Sequence, residues 1–548
     1  MRLQKIIIEL SNHHYIAFLP ILFATLIFIY YTLQIIRGRI SGKWFWVAAI
    51  IFIFFTRSAD FFQEVRMNPD EEQWLVSANS IIDSPVRWMN SFALFDYTRI
   101  FTILPLVTLS VFHDYLSYDD ARLINLILFL LFTLIQFKAI KLCFNRETAL
   151  FTTSLILIFF AISFSWDFIS YNSEMPTIVL ISLAFYLLIR DAKNIGSRPA
   201  VLLMGLITAF ISFSKEQALP ISALLVLLAS FHFIRTKHYH RLILFYLGGV
   251  TGLLLVFVPV LSFYGSEGII WNFQNGIAYS RHGLTMSAAQ KNKNYFLIFL
   301  NIIFLNKEYF VFSSLAFISI IIQLFFLVKK GIRNQMHFFQ IACLLLTVVT
   351  LYIIYLPKNF FFHYTIFLLV PFSWLLAWLY FTFIPGKNKM LVIAGILSIL
   401  VISKVYDNQL RLFYPLSEFI SPIQFPQNDT IYKLIDQNSS PGDGMMIWGW
   451  DNSYYLSAEL QRTTGFLYPV FATGYFSGKK RVADLYIKNI KEQKPEIIIE
   501  LVGKNRFFFD DKEKYSIERS APELMNIIEQ NYNNVAEDSN YVFYLRKK

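Results

Sequence analysis

The chain has little charge for its length. Only 16% of its 548 residues are Asp, Glu, Lys or Arg, whereas a soluble domain usually carries about 25%. The two cysteines, Cys143 and Cys343, lie in or beside apolar runs, which argues against a disulfide framework or a cysteine-based metal site. The sequence also lacks a Gly-rich nucleotide fingerprint and a P-loop. These absences indicate a chain whose surroundings are mostly lipid.

Long apolar runs make up most of the sequence. It is 56% hydrophobic with 58 Phe, and runs of about 17–25 residues can each cross a bilayer core roughly 30 Å thick. Such segments must be helical, because unpaired backbone N–H and C=O groups cost several kcal/mol each in hydrocarbon. The predicted spans lie near residues 15–36, 44–56, 121–137, 148–165, 176–190, 199–214, 217–234, 242–263, 306–328, 336–356, 360–383 and 388–404. The sequence therefore predicts an α-helical polytopic membrane protein with about twelve transmembrane helices.

The basic residues lie in short loops between these spans rather than in one cluster. The net charge is +11, but no nucleic-acid-binding motif accompanies it, so no nucleic-acid partner is expected. Alternate loops are short and basic: "RGRISGK", "KAIKLCFNRE", "RDAKNIGSR", "RTKHYHR", "KKGIRNQ" and "PGKNK". Short loops rich in Lys and Arg face the cytoplasm. The loops of the other parity, including 264–305 and everything after 405, are then expected on the extracytoplasmic side of the cytoplasmic membrane.

The composition becomes soluble from about residue 406. "NDTIYKLIDQ" has N-cap candidates Asn428 and Asp429 before apolar residues at helical spacing, and "SSPGDG" is typical of a turn before the strand candidate "MMIWGW". Two further helix–strand pairs follow, "ADLYIKNIKEQ" with "KPEIIIELV" and "APELMNIIEQ" with "YVFYLRK". We expect a transmembrane module over 1–405 and an extracytoplasmic α/β domain over 406–548, with a mainly parallel sheet.

Three consecutive carboxylates, Asp70, Glu71 and Glu72, occur in "MNPDEEQWL" within the first large outward loop, 57–120. Pro69 favours a turn, and residues 71–81 are predicted to form a helix. Carboxylates at a helix start gain about 0.3–1 kcal/mol from the helix dipole, so the acids have a purely structural explanation. The same position also suits a general base, which needs its oxygen within about 3 Å of the proton that it removes. Later in this loop, "FTILPLVTLSVF" is too short to cross the membrane and is predicted to be an interfacial or re-entrant helix.

Other polar candidates lie at outward ends of spans. Asp96, with Arg99 nearby, shares the first loop, and Glu174 lies in "YNSEMP". Candidates for binding an anion are Lys215 in "SKEQ", Lys358, His363 and Tyr364 in "PKNFFFHY", and Arg281 and His282 in "AYSRHGL". Glu174 could instead mark the membrane boundary, and Lys215 could be neutralised by Glu216. Lys358 could extend to the membrane interface, His363 could be a hydrogen-bonded interfacial residue, and Arg281 and His282 could be exposed to solvent. No zinc-ligand spacing occurs, although a divalent cation held by Asp70 with Glu71 or Glu72 is conceivable, since hard cations take carboxylate oxygens.

Several motifs occur in an order that resembles the membrane-embedded GT-C glycosyltransferases, in particular bacterial relatives of the protein O-mannosyltransferases and of the aminoarabinose lipid A transferases. "PDEEQW" looks like the Asp-Glu motif of that superfamily, "SKEQALP" like its Lys-containing segment, and "FHYTIFLLVP" like its His-Tyr motif. "PGDGMMIWGWDNSYYLSAELQRTTGF" resembles the start of the outward C-terminal domain. After the acidic motif, many bacterial members carry a His- and Pro-rich segment, where this chain reads "FDYTRIFTILPL".

The resemblance implies transfer of a sugar from a polyprenyl-phosphate donor to a lipid, glycan or protein acceptor, without a nucleotide sugar. Asp70 would then be the general base of an inverting reaction, with Glu71 as its helper. The residues expected to bind substrate are Lys215, Lys358, His363, Tyr364, Glu174 and Asp96. Glu72 is outside the usual acidic pair and is expected to be a solvated charge.

Three alternatives stay open at this point. A lipid-linked oligosaccharide transporter or flippase would also have about a dozen spans, but transporters often show internal repeats and polar residues at mid-membrane. An O-antigen ligase or polymerase would depend on Arg and His in a large outward loop, which makes Arg281 and His282 the discriminating pair. A non-catalytic assembly protein with a soluble recognition domain is the third.

Overall fold

The fold is described by a computed structural model. It describes residues 14–61, 68–90, 94–163, 166–286, 295–305, 310–330, 335–357, 361–383, 429–464, 472–473, 479–504, 506 and 509–548. The chain divides into two compact units. The first unit comprises 1–63, 122–254 and 292–423, and the second comprises 64–121, 255–291 and 424–548. The second unit thus combines the acidic loop with the C-terminal segment. The predicted boundary between 1–405 and 406–548 stays a prediction.

Apolar helices build the first unit, and two of them extend into the second unit at residues 118–121 and 255–286. They are α1 (His14–Ile36), α2 (Trp44–Phe61), α7 (Tyr118–Cys143), α8 (Arg146–Ile162), α9 (Trp166–Ile169), α10 (Glu174–Ala192), α11 (Arg198–Ile211), α12 (Leu219–Arg235), α13 (Tyr239–Met286), α14 (Tyr295–Leu300), α15 (Phe310–Lys330), α16 (Gln335–Tyr355) and α17 (Leu369–Phe383). A 3₁₀ turn at Glu216–Ala218 precedes α12, and a 3₁₀ helix at Phe362–Leu368 precedes α17. Buried Phe, Leu and Ile side chains from these helices form one large core.

Six helical segments of the described chain are long and apolar enough to cross a membrane. They are Tyr118–Cys143, Glu174–Ala192, Glu216–Arg235, Tyr239–Trp271, Phe338–Tyr355 and Phe362–Thr382. Shorter apolar helical segments occur at Phe23–Ile36, Trp44–Arg57, Ile100–Val111, Arg198–Ile211 and Phe312–Phe326. The prediction of a helical polytopic membrane protein is confirmed. The predicted span at 388–404 lies outside the described residues.

The described residues of 264–305 are helical, which corrects the prediction of a loop for them. Helix α13 continues to Met286, with a break at Gly265 (φ 66°, ψ 178°), and a π-helical turn occupies Asn301–Leu305. A positive φ is accessible to glycine because it lacks a Cβ atom. Gly265 therefore lets the chain change direction, and helical structure resumes after it.

Glycines bring α11 and α13 into close backbone contact. A Cβ atom placed on Gly205 would lie 1.9 Å from the carbonyl oxygen of Phe245, and one on Gly248 would lie 2.0 Å from that of Leu202. Small residues permit such close approach between helices in a membrane, where packing rather than hydrophobic burial drives helix association. The spacing between these two helices is therefore fixed by the lack of side chains at two positions.

The acidic loop of the second unit is largely helical. Its helices are α3 (Pro69–Asp83), α4 (Pro85–Asn90), α5 (Leu94–Tyr97) and α6 (Ile100–Val107), and a 3₁₀ turn at Thr108–Val111 follows α6. Trp74, Leu75, Val76 and Ala78 of α3 are buried. Val111 and Phe112 are strongly exposed at the end of the segment that the sequence predicts to be interfacial.

The C-terminal part of the second unit is an α/β domain. Its elements are α18 (Thr430–Asn438), β1 (Gly444–Trp448), α19 (Ser453–Ser457), β2 (Gln461–Arg462), α20 (Lys479–Gln493), β3 (Ile497–Glu500), α21 (Lys512–Tyr515), α22 (Ile517–Ser520), α23 (Pro522–Asn531), β4 (Tyr532–Asp538) and β5 (Tyr541–Arg546). Asp429 caps α18 by accepting a hydrogen bond from the amide of Ile431. The strands form one sheet in the order β2–β1–β3–β5–β4.

The sheet is mixed, so the prediction of a mainly parallel sheet was wrong. β1 pairs in parallel with β2 and β3, with Met446 opposite Ile498, whereas β5 pairs antiparallel with β3 and β4. The sequence missed β4 because "YNNVAED" is polar and mostly exposed. As an edge strand it pairs on one side only and needs no apolar run.

Candidate active site

The local sequence places Asp70 at the start of a capped helix. The side chain of Asn68 accepts a hydrogen bond from the amide of Asp70 at 2.9 Å, and Pro69 takes the first helical position. Proline suits this position because its missing N–H would have no helical partner there. The Asp70 side chain is half-buried. A carboxylate there lies in the positive field of the helix N-terminus and keeps part of its surface accessible to a substrate.

The next two carboxylates are buried, and this corrects the expectation that Glu72 is solvated. Glu71 and Glu72 are both 0% exposed. The hydroxyl of Tyr118 donates a hydrogen bond to Oε1 of Glu72 at 3.3 Å. Burying a carboxylate is costly unless it is hydrogen-bonded or paired. Glu72 is thus a buried residue of α3. The run of three acids in the sequence does not show which of them is buried.

Asp96 lies in a buried ion pair inside the second unit. Its Oδ2 accepts hydrogen bonds from the guanidinium of Arg462 at 2.9 Å and from the hydroxyl of Ser77 at 2.7 Å. Ser77 is on α3 and Arg462 is on β2, so the pair connects the acidic loop to the C-terminal sheet. The expected substrate-binding role of Asp96 stays a prediction. Its described contacts show a residue that connects secondary-structure elements.

Lys215 and Glu174 form a second charged cluster, which lies in the first unit. Nζ of Lys215 lies 2.8 Å from Oε1 of Glu174, whose side chain is fully buried. The same ammonium donates to the hydroxyl of Ser173 at 2.8 Å, and Ser173 donates to Oε2 of Glu174 at 3.2 Å. The Lys215 side chain is 12% exposed. Since an ammonium has three N–H donors, these two contacts leave one for a further acceptor.

His363 and Tyr364 extend this cluster. Nε2 of His363 lies 4.0 Å from Oε1 of Glu174, and Nδ1 lies 3.5 Å from Oδ1 of Asp167. These separations exceed hydrogen-bond length but are close enough for electrostatic attraction. Nζ of Lys215 lies 5.1 Å from the ring centroid of Tyr364, a cation–π contact. The structure therefore brings four of the predicted site residues together: Glu174, Lys215, His363 and Tyr364.

The side chains of three other candidates from the sequence lie outside the described part of the chain. Lys358 lies outside the described residues. Arg281 and His282 belong to α13, but their side chains are outside the description. In the described part of the chain, no three or more His, Cys, Asp or Glu residues are grouped so that they could hold a metal ion.

Sequence reasoning missed three partners in these clusters. Ser173 lies directly before Glu174, and Asp167 lies in the same segment, "WDFISYNSE". An inspection of all polar residues in that segment would have found both. Arg462 has no such local signal, because its partner Asp96 is 366 residues away in the sequence. Only the tertiary fold brings this pair together.

Comparisons with known proteins identify the fold. The sequence matches no protein-family model and no curated relative. The structure is similar to that of ArnT from Cupriavidus metallidurans bound to undecaprenyl phosphate, with a TM-score of 0.55 and 13% identity over 92% of this chain and 98% of that chain. The apo state of ArnT gives a TM-score of 0.47 at 14% identity, over 90% of this chain and 97% of that chain. The apo oligosaccharyltransferase of Archaeoglobus fulgidus gives a TM-score of 0.42 at 10% identity, over 84% of this chain and 70% of that chain.

The fold assignment rests on the first of these structures, whose similarity extends over nearly the whole of both chains. That similarity agrees with the apolar helices and the small C-terminal sheet. The chain is a multi-pass membrane protein with the fold of the ArnT structure.

Proposed function

We propose that this protein is a glycosyltransferase that moves a sugar from a polyprenyl-phosphate donor to an acceptor. The observation that carries the proposal is the similarity over 92% of the chain to an ArnT structure that holds undecaprenyl phosphate. A lipid-borne donor agrees with a chain built mainly from apolar helices. The described residues include the chemical groups that such a reaction needs, a carboxylate at Asp70 and an ammonium at Lys215.

Asp70 is the proposed general base. Its carboxylate removes the proton from the acceptor hydroxyl, and the resulting oxygen forms a bond to the anomeric carbon of the donor sugar. The bond between that carbon and the phosphate oxygen breaks, and its electron pair leaves with the phosphate. Attack from the face opposite the phosphate inverts the configuration. Glu71 is proposed to orient Asp70 or the sugar hydroxyls.

The proposed phosphate-binding groups are Lys215 and His363, with Lys358 as a further candidate from the sequence alone. Pre-placed positive charge beside a leaving phosphate can be worth several kcal/mol in the transition state. Glu174 holds the Lys215 ammonium at 2.8 Å, so the cation does not have to be ordered during the reaction. Tyr364 packs against the same ammonium and restricts its position.

The reaction is proposed to take place on the extracytoplasmic side of the cytoplasmic membrane. The short basic loops support this orientation. Two cysteine variants test it, since both native cysteines are buried. In intact cells, a cysteine in the exposed variant Ser440→Cys should react with an impermeant maleimide, and one in His240→Cys should react only after lysis. The reverse labelling pattern would overturn the orientation.

Replacement of Asp70 by Asn tests the proposed base. The purified protein is incubated with polyprenyl-phosphate sugars and a panel of lipid, glycan and peptide acceptors. We expect Asp70→Asn to slow transfer by about 10²–10⁴-fold, the usual contribution of a general base, without changing the thermal unfolding midpoint. Asp484→Asn, an exposed carboxylate on α20, is the matched control and should keep full activity.

Two results would count against this mechanism. Full transfer by Asp70→Asn would remove Asp70 as the base. Loss of transfer in Arg281→Ala together with full activity in Asp70→Asn would instead support a ligase or polymerase type of reaction. Absence of transfer by the native protein with every donor and acceptor would contradict the proposed function itself.

A further inference from the structure

A cavity of about 370 Å³ lies in the second unit, away from Asp70. The later part of α3 forms one wall, from Val76 to Asp83, and the segment from Glu459 to Arg462 forms another. Pockets that bind small molecules usually measure roughly 300–1,000 Å³, so this one has room for a small ligand. No sequence pattern indicates this cavity, because its walls come from segments that are remote from each other in the chain.

Two carboxylates line the cavity without a cationic partner. Asp114 and Glu459 are both exposed, and no ion pair joins either of them to another described residue. The Glu459 carboxylate lies close enough to the hydroxyl of Tyr115, another lining residue, to help burial raise the pKa of that hydroxyl above its ordinary value. These carboxylates can accept hydrogen bonds from a ligand and repel one that carries negative charge.

A buried hydrogen-bond donor also lines the cavity. Trp88 is 5% exposed and lines the cavity, and its indole N–H has no acceptor among the described residues. A buried donor without a partner costs roughly 1–3 kcal/mol. A ligand with a hydroxyl or carbonyl oxygen at this position would satisfy the indole N–H.

The positive charges in the cavity wall are already neutralised. Arg462 is paired with Asp96, and Arg87 is paired with Asp83 at 2.9 Å. Val76 adds apolar surface to the same walls. The cavity therefore offers hydrogen-bond acceptors, one indole donor and apolar contacts, but no free cation among the described lining residues. Such a surface suits a ligand with many hydroxyl groups and no negative charge.

The cavity and Asp70 are connected by one helix. Val76 and Asp83 follow Asp70 by 6 and 13 positions on α3, which corresponds to about 9–20 Å along a helix that rises about 1.5 Å per residue. A group bound in the cavity is thus too distant to be the reacting hydroxyl. Such a group can belong to the acceptor molecule at a position remote from its reacting hydroxyl.

We propose that this cavity is a subsite for a saccharide portion of the acceptor that carries no negative charge. This inference rests on the proposed glycosyltransferase function, since it identifies part of the substrate of that reaction. Trp88 would donate to a sugar oxygen, and Asp114 and Glu459 would accept hydrogen bonds from sugar hydroxyls or from an ammonium group. The same two carboxylates would discriminate against acidic sugars.

Equilibrium binding to the full-length protein in detergent tests the subsite without requiring turnover. The probes are a neutral disaccharide (N,N′-diacetylchitobiose), its cationic unacetylated form and an anionic disaccharide (digalacturonic acid), measured by isothermal titration calorimetry. We expect the neutral and cationic probes to bind and the anionic one to bind at least about tenfold more weakly. Trp88→Phe should weaken binding of the neutral probe about fivefold, as expected for one lost hydrogen bond.

The exposed residue Glu459 provides a second variant that does not depend on correct packing of the indole. Glu459→Gln should bring the affinity for the anionic probe to within about threefold of that for the neutral probe. Asp484→Asn does not line the cavity and should leave all three affinities unchanged. Equal binding of the three probes to the native protein, no binding of any, or unchanged affinities in both cavity variants would overturn the proposal.

The two proposals fail separately. Asp70→Asn should keep the binding of the disaccharides while losing transfer. Loss of saccharide discrimination with normal transfer would count against the subsite alone. Normal saccharide binding by a protein that transfers no sugar would count against the catalytic function alone.

Discussion

Arg462 and Asp96 form an ion pair that is almost completely buried, with their side chains 2% and 3% exposed. The pair connects β2 of the C-terminal domain to the acidic loop, and Ser77 of α3 completes it. A buried ion pair contributes little net stability compared with an apolar pair, but it is costly to break, because the remaining charge has no partner. The folding stability of the acidic loop and that of the C-terminal sheet therefore depend on each other through Arg462 and Asp96.

We predict that Arg462→Met lowers the unfolding free energy of the second unit by about 3–5 kcal/mol. The Asp96→Leu/Arg462→Met double variant should recover most of this loss, since neither charge is then buried. Thermal unfolding midpoints in detergent provide the measurement. Arg87→Met is the matched control, because the Arg87–Asp83 pair is 44% and 31% exposed and such pairs contribute at most about 1 kcal/mol. Equal losses for Arg462→Met and Arg87→Met would contradict this account.

A similar comparison separates the structural and catalytic roles of Lys215. Lys215→Met leaves the fully buried Glu174 without its ammonium partner, so both stability and transfer should fall. In the Lys215→Met/Glu174→Gln double variant the buried charge is gone, and the unfolding midpoint should recover toward that of the native protein. Transfer should stay low, because the proposed phosphate ligand is missing. Recovery of transfer together with stability would show that Lys215 has only a structural role.

The contact between α11 and α13 gives a prediction that involves no charge. Gly248→Ala would place a methyl group 2.0 Å from a backbone carbonyl oxygen, whereas the nearest atom to a methyl group on Gly249 is 3.8 Å away. Overpacking of this kind usually costs about 1–3 kcal/mol. We therefore expect Gly248→Ala to lower the unfolding midpoint and the yield of folded protein, and Gly249→Ala to change neither. A neutral Gly248→Ala variant would mean that the two helices can separate without cost.

Glu500 should make the C-terminal domain sensitive to pH. Burial raises the pKa of this carboxyl above its ordinary value of 4.5, although the amide of Ile517, which donates to it at 2.8 Å, partly offsets the shift. The folded state then holds this proton more tightly than the unfolded state does, so the contribution to stability is largest below about pH 4.5 and is lost as the pH rises through the folded pKa.

Glu500→Gln removes this titration and keeps an oxygen that can accept from Ile517. We expect the variant to unfold at a higher temperature than the native protein at pH 7, with the difference shrinking as the pH falls toward 4.5. Glu492→Gln is the control, because Glu492 is about half exposed in a surface pair with Lys488. A destabilised Glu500→Gln variant at pH 7 would show that the charge of Glu500 is favourable in the folded state.

The sequence predicted the elements whose signals are local. Apolar runs located the spans that the structure describes, and the acidic helix was expected at 71–81 and found at Pro69–Asp83. Glu174, Lys215, His363 and Tyr364 were each predicted from their position at the predicted outward ends of spans, but only the fold shows that they lie together. The burial of Glu72 and the pairing of Asp96 with Arg462 could not be predicted, because both depend on contacts between distant segments. Strand β4 was missed since a polar edge strand shows no alternating pattern.

The 3₁₀ winding of Phe362–Leu368 has a consequence for the direction in which His363 points. A 3₁₀ helix has three residues per turn instead of 3.6, so successive residues are rotated by about 120° instead of about 100°. His363 therefore points in a different direction relative to α17 than it would in a continuous α-helix. Pro371, in the first turn of α17, has no N–H for the carbonyl of Phe367, and its ring clashes with that carbonyl in an α-helix. The orientation of the imidazole toward Glu174 and Asp167 is thus encoded partly by a proline eight residues further along the chain.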